Sequence, residues 1–589
     1  MALIVQKYGG TSVGSAERIQ AVARRVVETV KAGNQLVVVV SAMGKTTDGL
    51  VKLAHELSSQ PSRREMDMLL VTGEQVTIAL LSIAIQELGQ PAISLTGAQA
   101  GIITEAEHTR ARILEIVPDR IERHLKEGKV VVVAGFQGVI ATEDREITTL
   151  GRGGSDTSAV ALAAALKASA CEIYTDVPGI LTTDPRIVPA AQLLTEITAD
   201  EMLELASLGA KVLHPRAVEI AKNYGVPLVV RSSWTDEPGT WVVSPVPRSR
   251  SLTGLEIARS VDAVEFSTNQ AKIALLQVPD RAGIAGQLFG ALARENVDVD
   301  LIVQSIHEGN TNDIAFTVDK QASKRAQAVA EAISPVLHDN SIANDDRVLV
   351  ADDIAKVSIV GAGMIGRPGV AAQMFKTLAD VGINIQMIST SEIKVSCVIA
   401  AVDSDRAIDA LCHQFEISTS SHENAKQITA PSVRGVALDL DRARLAILQV
   451  PDRPGMAAEL FGILAANNIS LDAIIQSQRT RIIAGVATRD IACTIAQCDA
   501  ADAKRVLEAA APELGCGAVV VNKSIAKVSI VGAGMISNPG VAAQMFNCLA
   551  TAGINIQMIA TSEIKISCVV TRSQGIDALK TIHRAFGLG

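Results

Sequence analysis

The chain has 589 residues, 48% apolar and 20% charged, which excludes a disordered polymer and is too long for one core, so several domains are expected. Its net charge is −9 and only 2% of its residues are aromatic. That excludes the basic, aromatic-studded surface of a nucleic-acid binder and favours small-molecule chemistry. The eight cysteines, at 171, 397, 412, 493, 498, 516, 548 and 568, include no CxxC pair and read as reduced thiols. No basic leader with an apolar core opens the chain and no uninterrupted apolar run approaches a membrane span. A cytoplasmic protein, or the mature form of an organellar one, is expected, with neither a membrane nor a nucleic acid as partner.

Residues 2–6 form a short apolar strand that stops at Lys7, and Tyr8, Gly9, Gly10, Thr11 and Ser12 follow as a loop. A helix is predicted over 16–31, with Ile19, Val22, Val26 and Val30 on one face. Strand, glycine loop and helix put Lys7 and the loop amides where phosphates could sit. The same string describes a lysine that ends a strand beside a tight turn, and it is not the Walker pattern. Residues 36–40 are a wholly apolar strand, as at the centre of a parallel sheet, opening into Ser41, Ala42, Met43, Gly44, Lys45, Thr46 and Thr47. Ligands of open α/β sheets bind beyond the carboxyl ends of the strands, so this loop should face the one after Lys7. Glu74, in TGEQ, starts another helical run and by itself reads as structural.

Residues 129–134 make a further buried strand, and Gly151 to Asp156 then read GRGGSD at the mouth of a helix. Three glycines and free helix amides suit a phosphate or carboxylate, and equally an ordinary helix start capped by Ser155 or Asp156. A strand at 170–174 ends in Thr175, Asp176, Val177, Pro178 and Gly179, with Thr182, Thr183, Asp184, Pro185 and Arg186 beyond. Lys211, His214 and Pro215 follow in GAKVLHP, and 226–231 looks like a closing strand.

Taken jointly and in this order, KYGGTS with Lys7, VSAMGKTT with Ser41, TGE with Glu74, GRGGSDTSA, TDVPGI, TTDPR and KVLHP resemble the aspartate kinases of the amino-acid kinase family. The resemblance covers residues 1–246. It implies an α/β catalytic domain of three αβα layers that binds ATP with Mg2+ beside L-aspartate and passes the γ-phosphoryl group to the side-chain carboxylate. Such transfer needs charge neutralisation and in-line positioning more than covalent help. The attacking carboxylate is already ionised at neutral pH, so no general base is needed. The resemblance implies that Lys7 draws off charge while Asp156 holds it in place. It implies that Arg152 grips a carboxylate, Glu74 sits near the ammonium, and Ser41, Thr47 and Ser155 complete the pocket. Gly9, Gly10, Thr175, Asp176, Arg186 and Lys211, with Lys7, match the nucleotide-contacting positions. Lys211 and His214 could equally be a structural pair, and His214 is left as structural.

Beyond a linker at 247–265 the chain repeats itself. Lys356 to Ile399 matches Lys527 to Val570 at an offset of 171, with 35 of 44 positions identical, and LLQVPDRAGIAGQLFGALA from Leu275 matches ILQVPDRPGMAAELFGILA from Ile447. Each copy holds two modules. In the first, a strand at 273–278, a turn around Gly283, an amphipathic helix, strands at 297–304 and 314–318, and a helix near Ser323 spell βαββα. This resembles the ACT domain, a ferredoxin-like βαββαβ effector module, and implies four of them at 266–350, 351–425, 442–522 and 523–589, with a linker at 426–441. Family members with one ACT pair would make the second pair a departure. The string VSIVGAGMIG from Val357 mimics a dinucleotide fingerprint, but Ser537 replaces the last glycine in the second copy. Pro368 and Pro539 also intervene before the helices.

In ACT domains the turn before the first helix commonly cradles an amino acid whose carboxylate meets helix amides. The candidates are Asp280, Arg281, Ala282, Gly283, Ile284 and Gln304, and in the second copy Asp452, Arg453, Pro454, Gly455, Met456 and Gln476; the glycines could serve the turn alone. Asn384, Ser391 and Glu392, like Asn555, Ser562 and Glu563, could belong to a packing interface. The resemblance implies lysine, threonine or both as feedback effectors. It also implies a homodimer or larger homo-oligomer formed through the ACT sheets. The rival readings are a kinase of another carboxylate and an amino-acid sensor without catalysis.

Overall fold

The apolar stretches of the first half align as one sheet. A computed structural model describes residues 2–589 apart from 143, 209–211, 245–251, 258, 308–310, 339–346, 365–366, 368, 419, 423–430 and 539. The chain forms two compact units. The first is Met1–Leu181, Leu193–Ala206 and Ala210–Ala258; the second is Thr182–Gln192, Ser207–Gly209 and Arg259–Gly589.

In the first unit an eight-stranded sheet runs in the order Glu196–Thr198, Thr240–Val243, Leu228–Ser232, Ala170–Thr175, Leu3–Tyr8, Gln35–Val40, Val130–Ala134 and Ala92–Leu95. The last six are mutually parallel. Gln35–Val40 and Val130–Ala134 are apolar almost throughout because both their faces are buried, as expected of a central parallel strand. Ala16–Lys31 and Thr72–Glu87 cover one face, where Val22, Val26, Ile78, Leu81 and Ile85 share a core with Val38 and Val40. Gly154–Ala165, buried at every position, packs on Leu3–Tyr8, Gln35–Val40 and Ala170–Thr175. These are the three layers.

One expectation needs correction here. The strand near 226–231 does not close the sheet: the chain turns back at Gly239, Thr240–Val243 pairs antiparallel with it, and Glu196–Thr198 lies outermost. One stretch, Arg63–Glu87, is long and apolar enough by length and composition to cross a membrane. It consists of two helices, Arg63–Leu70 and Thr72–Glu87, that meet at Val71, and half of its most apolar 18 residues are buried in this unit.

The second unit holds four modules that share strands. Ala263–Pro279 is a single strand whose residues 263–267 pair with 356–360 and whose residues 270–275 pair with 348–354 of Val348–Val360. Thr311–Asp319 takes the other edge of the first strand and Lys394–Ala400 that of the second. Each long strand therefore ends one ferredoxin-like module and begins another. Ile302–His307 of the first module pairs antiparallel with Met558–Ser562 of the fourth, joining them in one sheet. The second and third modules meet through helices Val370–Asp380 and Met456–Ala466, where Phe375 and Phe461 lie 5.7 Å apart. Side-by-side pairing of these modules is thus made inside one chain.

The glycines of VSIVGAGMIG serve packing. A Cβ on Gly361 would lie 2.4 Å from the Ser260 carbonyl oxygen, and one on Gly532 of the second copy 2.4 Å from that of Ser432. Gly366, Pro368 and Pro539 lie outside the described residues. Two repeat-related lysines are buried as ion pairs, Lys356 with Asp300 and Lys527 with Asp472. Burial alone would raise the Asp472 pKa, but Lys527, Lys565 and Arg442 overcome it and hold the carboxyl well below its usual range. Lys527→Ala removes the largest of those charges and its hydrogen bond while Lys565 and Arg442 remain, so it should lower the unfolding free energy by about 3 kcal/mol in urea titrations, the low end for a broken buried pair.

Candidate active site

Because the central strands are parallel, their carboxyl ends lie along one edge, and the polar loops gather there. Lys7 is the penultimate residue of Leu3–Tyr8, and its Nζ lies 2.6 Å from Asp156 Oδ1, both side chains 11% exposed. Asp156 stands in the first turn of Gly154–Ala165. Neither Asp156 nor Ser155 caps that helix. Gly153 is the N-cap, and the carboxylate faces the lysine.

The loops after the first two strands touch. Gly44 N donates to the Gly10 carbonyl at 2.9 Å, and a Cβ on Gly10 would lie 2.8 Å from the Ala42 carbonyl oxygen, so that position requires glycine. Gly9 N donates to the Tyr174 carbonyl at 3.3 Å. Glu74 enters this loop from the first turn of Thr72–Glu87, where Oε1 accepts from Ala42 N at 3.0 Å. Its Oε2 is buried with no hydrogen-bond partner among the described residues. Burial pushes the carboxyl up to about 7, against the lowering effect of the Ala42 amide. A buried, half-satisfied carboxylate is costly unless a ligand donor completes it.

Ser41 follows Gln35–Val40, and Thr47 lies in the first turn of Thr46–Leu57. Ser155 is buried beneath Gly135. Arg152 is exposed in the turn before Gly154–Ala165 and forms no ion pair among the described residues. Thr175 ends its strand; its hydroxyl donates to Asp176 Oδ1 at 3.2 Å, and its carbonyl accepts from the Ser233 hydroxyl at 3.0 Å. The structure thus brings Lys7, Gly9, Gly10, Ser41, Thr47, Glu74, Ser155, Asp156, Thr175 and Asp176 to one sheet edge. Arg186 lies in the segment that folds with the second unit and is ion-paired to Asp184 at 2.6 Å. Lys211 lies outside the described residues. The ring of His214 rests against Gly153, and burial, then the Arg216 charge, lower its pKa.

Sequence reasoning missed three supports of this edge. Buried Asp67 accepts from His108 Nδ1 at 2.8 Å, from Thr109 N at 3.1 Å and from the Thr149 hydroxyl. A carboxylate inside the apolar run before Val71 was the available signal. Ser12 donates to the Ser233 hydroxyl at 2.9 Å, and nothing in a serine's local sequence announces a partner 221 positions away. Arg216 pairs with Glu256, a residue read as linker.

In the second unit the expected turns face neighbouring modules. Asp280 Oδ1 accepts from Asn555 Nδ2 at 2.7 Å and Asn312 Nδ2 at 3.2 Å. Buried Gln304 donates to the Ile556 carbonyl at 3.0 Å, leaving Oε1 without a partner among the described residues. Asp452 accepts from Asn384 Nδ2 at 3.0 Å and pairs with Arg489 at 2.9 Å. Gly283 and Gly455 are the N-caps of the helices beginning at Ile284 and Met456, both with φ of +98°. Arg281, Ala282, Arg453 and Pro454 are exposed, and Gln476 is buried. The cavity between Asn384, Asp452, Gln476 and Arg489 measures about 20 Å³, room for one water.

The amino acid kinase family profile matches residues 2–232, and ACT domain profiles match 272–338, 357–415, 444–510 and 528–586. The aspartokinase of Bacillus sp. strain MGA3 is 52% identical over 421 residues, 72% of this chain and 99% of that protein. That of Corynebacterium glutamicum is 47% identical over 420 residues, 71% of this chain and 97% of its own length. The crystal structure of aspartate kinase from Synechocystis superposes with a TM-score of 0.87 at 63% identity, covering 100% of this chain and 98% of that one. The four-module arrangement therefore has a solved counterpart.

Proposed function

The chain belongs to the aspartate kinases of the amino acid kinase family, and on that premise we propose that it converts L-aspartate and MgATP to 4-phospho-L-aspartate and ADP. The observation that carries this reading is the Lys7–Asp156 pair set beside the half-satisfied carboxylate of Glu74. An ionised β-carboxylate oxygen attacks the γ-phosphorus as the bond to the bridging oxygen breaks, and ADP leaves with that electron pair. No proton moves. Lys7 neutralises charge that spreads over the transferred oxygens, and Asp156 fixes its ammonium. Arg152 receives the α-carboxylate, Glu74 Oε2 the α-ammonium, and Ser41, Thr47 and Ser155 line the pocket. Gly9, Gly10, Thr175 and Asp176 approach the nucleotide, with Arg186 and Lys211 assigned to it by family resemblance. Mg2+ would arrive with the nucleotide phosphates, whose oxygens supply most of its usual ligands.

Trapping the acyl phosphate as a hydroxamate tests this reading. Product with L-aspartate and none with glutamate or N-acetylglutamate is expected; no product from any acidic amino acid would overturn it.

The ACT turns are proposed as feedback sites for lysine, threonine or both, in a cytoplasmic enzyme at the head of the route to lysine, threonine and methionine. The two sites differ by a charge, because Asn312 faces Asp280 where Arg489 faces Asp452. An effector acts only through unequal affinity for two states, and the small cavity at Asp452 must open to admit one. Asp280→Asn and Asp452→Asn should each raise the half-inhibitory concentration of one effector by at least about tenfold, since each removes a charge-assisted bond. Dose–response curves with lysine and threonine, singly and together, check this. A homo-oligomer remains part of the proposal, and light scattering measures it directly.

A further inference from the structure

Arg216 holds the turn that carries Arg152, and it is itself held by a residue outside every motif of the catalytic domain. It lies in Pro215–Tyr224, and its guanidinium forms a bidentate fork with Glu256: Nε donates to Oε1 at 2.7 Å and Nη2 to Oε2 at 2.8 Å. The remaining donors reach two backbone carbonyls. Nη2 donates to Ala111 at 2.9 Å, and Nη1 donates to Leu150. Leu150 immediately precedes Gly151, whose φ of +77° starts the turn, and Ala111 N donates to the Thr149 carbonyl at 2.9 Å. Both walls of the turn are therefore fastened to one cation.

Glu256 is fixed in its turn. Its Oε2 accepts from Ile113 N at 2.6 Å, its own N–H donates to the Ile113 carbonyl at 3.0 Å, and Leu255 N donates to Leu114. The Glu256 side chain is 5% exposed. A planar guanidinium pinned bidentately by a buried carboxylate has one orientation, and here that orientation places both carbonyl contacts.

We infer that Glu256, acting through Arg216, is a positioning residue that sets the Leu150–Arg152 turn and with it the affinity for the acidic acceptor. This rests on Arg152 as the carboxylate grip. Arg152 forms no ion pair among the described residues, so its placement comes from the backbone of the turn. Neutralising Glu256 leaves Arg216 buried with a weakened anchor and frees the turn to drift. A misplacement of about 1 Å at a substrate-gripping group can cost about 100-fold.

The test compares saturation curves of the full-length chain for both substrates. Glu256→Gln should raise the aspartate KM at least about tenfold while the ATP KM stays within about twofold, and Glu256→Asp, which keeps the charge, should recover most of the loss. A purely structural role would move both KM values together or neither, and either result overturns the inference. Arg152→Ala is measured in parallel. If it leaves the aspartate KM unchanged, the assignment of Arg152 fails; if it raises that KM while Glu256→Gln does not, only the present inference fails. Should Glu256→Gln not fold by circular dichroism, Arg216→Lys keeps the charge and loses the fork. It is expected to show the same selective rise, and an unchanged aspartate KM would overturn the proposal.

Discussion

Replacing Lys7 with alanine should lower kcat about 1000-fold while the aspartate KM changes little, because the lost cation serves charge that develops in the transition state. The geometry ties the effect to one contact. Lys7 Nζ sits 2.6 Å from Asp156, at the carboxyl end of the strand flanked by Gln35–Val40 and Ala170–Thr175. Asp156→Asn keeps the shape and removes the charge that orients the lysine, so a smaller fall, about 10–100-fold, is expected. Steady-state rates at saturating MgATP and aspartate measure both. A Lys7→Ala enzyme with near-normal kcat would remove the lysine from the chemistry.

Glu74 should make aspartate capture depend on pH. Burial holds its carboxyl at about 7 in the unliganded protein, and an ammonium is bound by the ionised form. Below pH 7, kcat/KM for aspartate should fall about tenfold per pH unit, and above it the profile should level off. Glu74→Gln should flatten that limb and raise the aspartate KM by about 10–100-fold, the range of a lost charge-assisted bond. Stability carries the opposite sign. A carboxyl whose folded pKa is raised favours the protonated native state, so the ligand-free chain loses stability as pH rises from about 4.5 to about 7. Glu74→Gln removes that slope, which thermal unfolding across the window would show.

Much of this site was legible because parallel strands put their loops on one edge. The apolar runs before Ser41 and Gly135 and the polar residues after them announce strand and loop together, and the ion pair of Lys7 with Asp156 forms at that edge. The modules of the second half were legible from the repeat. What stayed hidden depends on partners distant in sequence. Glu256 looked like linker because its Arg216 fork spans 40 positions, and the strand Ala263–Pro279 began inside the same presumed linker because its first residues pair with 356–360. The pairing of first with fourth module through Val303 and Ala560 follows from three-dimensional adjacency that no local pattern encodes. The packing of Thr182–Gln192 with the second unit shows the same limit: Thr182 bonds His583 and the Leu588 carbonyl, about 400 positions away in the chain.

The central claim is that phosphate is transferred to the side-chain carboxylate of aspartate, and the identity of the reduced product tests it most directly. Borohydride added to the reaction with L-aspartate and MgATP reduces an acyl phosphate to the alcohol at the carbon that carried it. Homoserine, identified by mass spectrometry and absent without ATP, is the result expected here. Recovery of 3-amino-4-hydroxybutanoate would place the phosphate on the α-carboxylate and contradict the account, as would the absence of any reduced product from folded protein.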